Sequence, residues 1–284
     1  MRWLVTGANG MLGRDLVDLL AVRGHDVTGV DRDGLDITDP NLTDDCVQGF
    51  DVVINCAAYT AVDAAEADED TAFRVNAVGP SLLARAARRA GARIVQVSTD
   101  YVFGGDATVP YPEDFPAAPR SAYGRTKVAG EWAVRAEAPD SHIIVRTAWL
   151  YGQHGACFPK TIARVAAERG GLDVVDDQFG QPTWTGDLSD LMERLVVAGV
   201  PAGTYHGTAA GAVSWHGFAR EVVAAAGLDP EIVRATSSAE FARPAPRPAY
   251  SVLGHAATTA AGVTPMRNWA DAWVAAAADV LAGV

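Results

Sequence analysis

Tyr123 and Lys127 stand four positions apart in the run Tyr123-Gly124-Arg125-Thr126-Lys127. Four residues is close to one turn of an α-helix, so a helix here puts both side chains on one face. A phenol beside an ammonium is a proton donor whose conjugate base the neighbouring charge stabilises. Upstream, Val97-Ser98-Thr99-Asp100-Tyr101 supplies in Thr99 a hydroxyl suited to bonding a substrate carbonyl, with Asp100 beside it. The Tyr-x-x-x-Lys spacing is common by itself. Its weight comes from the rest of the chain.

A glycine turn, Gly7-Ala8-Asn9-Gly10-Met11-Leu12-Gly13, follows the first apolar run. Glycines there permit a tight turn and let backbone N–H groups approach a pyrophosphate at the positive end of a helix. The Gly-x-x-Gly-x-x-Gly spacing differs from the usual dinucleotide fingerprint, but a strand–turn–helix context gives it the same use. An acidic residue is expected roughly 20 positions further on to hold the adenosine ribose. Asp31 lies eighteen positions beyond Gly13, and Arg32 follows it. The carboxylate favours NADH and the guanidinium the 2′-phosphate of NADPH, so both cofactors stay open. Asp36 and Ile37 are placed for the adenine end. Small residues at Ala57 and Ala58 let a cofactor lie against the backbone.

The elements that must position these residues alternate. Strands are predicted over Trp3–Thr6, Asp26–Val30, Val52–Asn55, Ile94–Ser98 and Ile143–Thr147, with helices over Met11–Arg23, Thr71–Ala90 and Ser121–Glu137. That alternation is the pattern of a Rossmann-type, doubly wound α/β fold with a parallel sheet. Past residue 150 it loosens. Helices over Phe158–Arg169, Asp187–Ala198, Trp215–Ala226 and Trp269–Ala282, with short strands at Leu172–Val175 and Thr204–His206, indicate a smaller C-terminal α/β lobe. The expected division is 1–153 for the dinucleotide-binding domain and 154–284 mainly for the substrate lobe, with about 186–210 returning to the first domain.

The chain has 284 residues, 49% hydrophobic and 20% charged, enough for one such domain with a lobe. A net charge of −12 argues against a broad nucleic-acid or anionic-membrane surface. Three widely spaced cysteines, without a CxxC pair, suggest neither zinc nor a disulfide framework. No apolar run approaches eighteen residues, so no membrane span is expected. The simplest compartment is the reducing cytoplasm.

The runs GANGMLG, NCAAYTAVDAAE, VSTDYVFGG, SAYGRTKVAGE, RTAWLYG and DDQFGQPT together resemble the dTDP-4-dehydrorhamnose reductases of the extended short-chain dehydrogenase/reductase superfamily. The resemblance extends from Met1 to at least Leu253. It implies reduction of the C4 keto group of a dTDP-linked 4-keto-6-deoxy sugar by NADPH or NADH. Thr99, Tyr123 and Lys127 match the catalytic triad, with Lys127 lowering the tyrosine pKa. Gly10, Met11 and Leu12 match the pyrophosphate turn, Asp31, Asp36 and Ile37 the adenosine side, and Ala58, Tyr59 and Thr60 further cofactor contacts. Thr99, Asp100 and Trp149 match substrate contacts.

The chain departs from the family at Cys157, where members often carry Asn. Some members hold a divalent cation at a dimer interface; Asp15 matches one such position approximately, no second ligand is found, and no metal is predicted. Monomer and homodimer both stay open. Tyr101 stands where related 4,6-dehydratases carry a Glu, which disfavours elimination. A 4-epimerase and a non-catalytic regulatory subunit, like that of methionine adenosyltransferase, are the rival readings. The proline-rich run Arg243–Pro248 is expected to be an extended loop, with Arg247 reaching the nucleotide diphosphate or closing over the sugar.

Overall fold

Six apolar runs pair side by side and in the same direction. The computed structural model describes residues 1–284. Its main sheet comprises β1 (Arg2–Thr6), β2 (Asp26–Val30), β3 (Val52–Asn55), β4 (Arg93–Thr99), β5 (His142–Thr147) and β6 (Gly203–His206). The order is β6-β5-β4-β3-β1-β2, parallel throughout. Every residue of β3 and β5 is buried, as expected for strands covered on both faces. The strand order reverses between β1 and β3, and a crevice opens there at the carboxyl ends of the strands.

The long helices are α1 (Met11–Val22), α2 (Gly79–Ala90), α3 (Ala122–Glu137), α4 (Phe158–Arg169), α5 (Thr185–Val197), α6 (Trp215–Ala225) and α7 (Trp269–Val280). One face of the sheet packs Val5, Ile54 and Val145 against Leu16 and Leu20 of α1 and Leu188, Leu191 and Met192 of α5. The other packs Leu4, Val53 and Ile94 against Leu83 and Ala87 of α2 and Val134 of α3. The fold is therefore doubly wound. A separate core joins α4, α6 and α7 through Ile162, Phe218, Val222 and Trp273. Leu172–Val175 pairs in parallel with Val233–Thr236 in this lobe.

Several elements depart from the sequence reading. The single helix expected over Thr71–Ala90 is three segments: Glu69–Phe73, a π-helical turn over Arg74–Val78, and α2. The π turn points Asn76 inward, where its amide accepts from Tyr59 N at 2.8 Å and donates to Tyr59 O at 3.0 Å and to Thr126 Oγ1 at 3.1 Å. Gly130 of α3 makes room, since a Cβ there would lie 2.1 Å from the Asn76 carbonyl oxygen. A short helix over Pro40–Cys46, capped by Asp39, occupies the β2-to-β3 connection. All three cysteines are free thiols, and no helix is long and apolar enough to cross a membrane.

Candidate active site

The first turn of α3 is pressed against the end of β4. Ser121 caps that turn by accepting from Gly124 N at 3.0 Å, and a Cβ on Gly124 would lie 2.3 Å from the Tyr101 carbonyl oxygen. This close approach sets Tyr123 beside Thr99. The Tyr101 and Tyr123 rings meet edge to face at 5.6 Å. Burial pushes the Tyr123 phenol up to about 12, opposed by Thr99 and reinforced by the Asp100 charge.

Lys127 follows one turn later, buried, and its Nζ donates to the Val97 carbonyl oxygen at 2.7 Å. Burial brings its ammonium down to about 8, while Glu131 and Cys56 pull it back up. Against the expectation that Lys127 lowers the tyrosine, the lysine is turned to the β4 backbone and does not figure among the influences on that phenol. Thr99 lies beside the Tyr123 phenol, as expected for their joint use. Its hydroxyl donates to Asp100 Oδ1 at 2.9 Å and accepts from Tyr101 N at 3.3 Å, so its one proton is committed within the chain.

Behind the pair lies a buried ion cluster that the spacing of residues did not reveal. Glu131 receives two bonds from Arg146, both at 2.8 Å, and one from Ser98 at 2.7 Å. Arg135 adds a contact at 3.0 Å. These partners hold the Glu131 carboxyl below the usual range despite its burial. Arg146 reaches Glu131 from β5, fifteen positions away in sequence, which is why no local pattern flags it.

The glycine turn is shaped for a close ligand. Gly7 has φ +68, and a Cβ on it would lie 2.7 Å from Ala57 N; one on Gly13 would lie 2.2 Å from the Gly7 carbonyl oxygen. The N-cap of α1 is Gly10, whose missing side chain leaves the amides of Met11, Leu12 and Gly13 without a partner in the chain. Three unpaired N–H groups at a helix start suit a pyrophosphate. Asp31 accepts from Asn9 N at 3.0 Å and from Arg32 N at 2.7 Å, and Arg32 is exposed beside it. Asp36 accepts from Thr38, while Ile37 is packed beneath Gly79. The residues present therefore fit a dinucleotide.

One cleft of about 1530 Å³ is lined by every residue assigned to the site from sequence: Gly7, Gly10, Met11, Leu12, Gly13, Asp31, Arg32, Asp36, Ile37, Ala57, Ala58, Tyr59, Thr60, Thr99, Asp100, Tyr123, Lys127, Trp149 and Arg247. Its volume exceeds the roughly 300–1,000 Å³ of a site for one drug-sized molecule, as a dinucleotide and a sugar nucleotide together require. Trp149 is the sole non-glycine residue at positive φ, 47°, and its ring stacks on Trp215 at 3.4 Å, nearly parallel at 8°. Gly180 admits the ring, because a Cβ would fall 2.4 Å from it. Trp215, Phe158, Ile162, Gln178 and Phe241 line the same cleft. These went unread because they come from separate parts of the lobe, α4, the start of α6 and two loops, which only the assembled fold brings together.

Arg247 is not free. It donates to Asp63 Oδ2 at 2.9 Å and to the Ala245 carbonyl at 2.9 Å, and Arg243 approaches the same carboxylate at 4.0 Å. This tie draws the proline-rich strap from the lobe across to the sheet domain. Asp15 accepts from Thr185 and faces His154 at 3.5 Å. Cys157 sits at the N-cap of α4 without a side-chain cap, its Sγ 3.8 Å from the Gly152 carbonyl.

With the geometry in place, likeness to known proteins is decisive. The family model for the RmlD substrate binding domain matches residues 1–282. The chain belongs to this family. A probable dTDP-4,6-dihydroxy-2-methyloxan-3-one 4-ketoreductase of Streptomyces antibioticus is 50% identical over 290 residues, covering 99% of this chain and 96% of the relative. A dTDP-4-dehydrorhamnose reductase of Streptomyces griseus is 50% identical over 274 residues, 94% of this chain and 90% of the other. Among solved structures, a dTDP-4-dehydrorhamnose reductase from Bacillus anthracis in complex with NADP superposes with a TM-score of 0.91 at 38% identity, covering 95% of this chain and 96% of that one. RmlD-type proteins thus share the whole architecture of this chain, lobe included.

Proposed function

We propose that the chain is an NAD(P)H-dependent oxidoreductase that reduces the C4 keto group of a dTDP-linked 4-keto-6-deoxy sugar. The observation that carries this reading is the meeting of Thr99, Tyr123 and Lys127 in one cleft with the three unpaired amides of the α1 turn. NADPH or NADH, when bound, supplies the hydride. Met11, Leu12 and Gly13 would hold its pyrophosphate, Asp31 and Arg32 its adenosine end, and Ala57, Ala58, Tyr59 and Thr60 the stretch between. Lys127 would hold the nicotinamide ribose.

The chain's own chemistry is proton delivery. As C4 is reduced its oxygen gains negative charge, and Tyr123 donates the phenolic proton to it. A neutral phenol is the form present, since burial keeps it protonated throughout the physiological range. Trp149, stacked on Trp215, supplies a flat wall for the sugar nucleotide, and Arg247, held by Asp63, fixes the strap that closes over the sugar. Thr99 and Asp100 line the sugar end.

The test is turnover of a panel of dTDP-linked 4-keto-6-deoxy sugars with NADPH and with NADH, followed by product NMR. Stoichiometric oxidation of the cofactor with a single C4 alcohol, axial or equatorial, as product is the expected result. Retained cofactor with no net consumption indicates epimerisation and overturns it. Tyr123→Phe should lower kcat about 10²–10⁴-fold with cofactor affinity nearly intact; undiminished turnover removes Tyr123 from this role.

A further inference from the structure

Thr99 has one proton and two neighbours that compete for its direction. In the structure it donates to Asp100 Oδ1 and accepts from the Tyr101 amide. An ionised carboxylate only accepts, so while Asp100 is charged the Thr99 proton stays on that side. The hydroxyl then has no proton free for the Tyr123 oxygen.

The surroundings of Asp100 disfavour the charged form. The residue is 2% exposed, and its Oδ2 has no hydrogen-bond partner. Hydroxyls, not cations, face it. Ser251, also buried, bears on the carboxyl from the C-terminal segment without closing a bond. Tyr123 faces it from α3 and Tyr101 from its own turn; Asp63 and Arg247 stand beyond Tyr101. Burial pushes the Asp100 carboxyl up to about 6, with Ser251 and Thr99 pulling it down.

Resting on the reductase reading, we propose that Asp100 is a positioning residue that sets the direction of the Thr99 hydroxyl, and that proton delivery runs in the form in which Asp100 carries a proton. In that form the carboxyl O–H donates to Thr99 Oγ1 and the Ser251 hydroxyl turns onto Oδ2. Thr99 is released to donate to the Tyr123 oxygen. When the phenolic O–H breaks and the new O–H forms on the sugar, the phenolate left behind is met by a donor. Neither Asp100 nor Thr99 loses a proton in the step, and the phenolate is reprotonated from solvent afterwards.

The experiment is kcat against pH from 5.5 to 7.5, with NADPH and a dTDP-linked 4-keto-6-deoxy sugar that the wild type reduces. Wild-type kcat should fall as pH rises through about 6. Asp100→Asn carries a permanent donor to Thr99, so its profile should be flat across the range in which the wild-type profile falls. Thr99→Val has no hydroxyl to direct and should be slow and flat. Ser251→Ala removes a group that favours the charged carboxyl, so the descending limb should move to higher pH. This variant also serves if Asp100→Asn does not fold.

A wild-type kcat independent of pH over this range overturns the proposal, as does a descending limb retained in Asp100→Asn or unmoved in Ser251→Ala. Each of these leaves the reductase reading intact, because the wild type still turns over. Failure of the wild type to oxidise NADPH with any sugar of the panel overturns that reading and the proposal with it.

Discussion

Lys127 shows how one buried charge carries two opposite pH effects. Its ammonium is held near 8 by burial, against about 10.4 in the unfolded chain. As the ribose-side donor it works only while protonated. NADPH affinity, measured by fluorescence titration, should therefore weaken as pH rises through about 8, and Lys127→Met should bind weakly with no such dependence. An unchanged limb in that variant assigns the titration elsewhere. Stability moves the other way. Between about pH 8 and 10.4 the unfolded chain binds the extra proton, so this group's contribution to stability rises with pH. Glu131 moderates both effects from one turn further along α3, and its own charge is maintained by Arg146. Breaking that pair leaves a buried guanidinium unsatisfied. Glu131→Leu should cost about 3–5 kcal/mol in denaturant unfolding, and a loss under 1 kcal/mol would mean that Arg146 finds another partner.

At the scale of elements, the glycine turn works by contact rather than by flexibility. Gly13 is an ordinary helical residue whose Cβ would strike the Gly7 carbonyl oxygen at 2.2 Å. Gly13→Ala should cost about 1–3 kcal/mol of stability and weaken NADPH binding by tenfold or more; wild-type affinity would show that the turn tolerates displacement. The sheet strands and long helices were legible because Val52–Asn55, Ile94–Ser98 and Ile143–Thr147 are apolar on both faces and α2 keeps a helical period. The turn, Asp31 and the Tyr123/Lys127 pair could be picked out because local spacing brings them to one cleft. Other features depend on the assembled fold. Pro40–Cys46 has almost no apolar face and forms through the Asp39 cap and a proline at its first turn. Phe179–Gly180 and Val213–Ser214 are two-residue strands, too short to display a period. Trp215 becomes part of the site only by stacking on a tryptophan 66 positions earlier.

On the scale of the whole molecule, the cleft is walled by the sheet domain on one side and the lobe on the other, and the strap at Arg243–Pro248 is tied across it through Asp63. Arg247→Ala should raise KM for the sugar nucleotide about tenfold with KM for NADPH unchanged, and equal values for both substrates would remove the strap from sugar recognition. The order β6-β5-β4-β3-β1-β2 has a further effect on how the protein is made. Leu16 and Leu20 of α1 are translated some 170 residues before the α5 side chains that cover them. A nascent chain halted before α5 therefore presents a bare apolar flank to its surroundings, so chaperone capture or aggregation should be the fate of fragments ending before about residue 185.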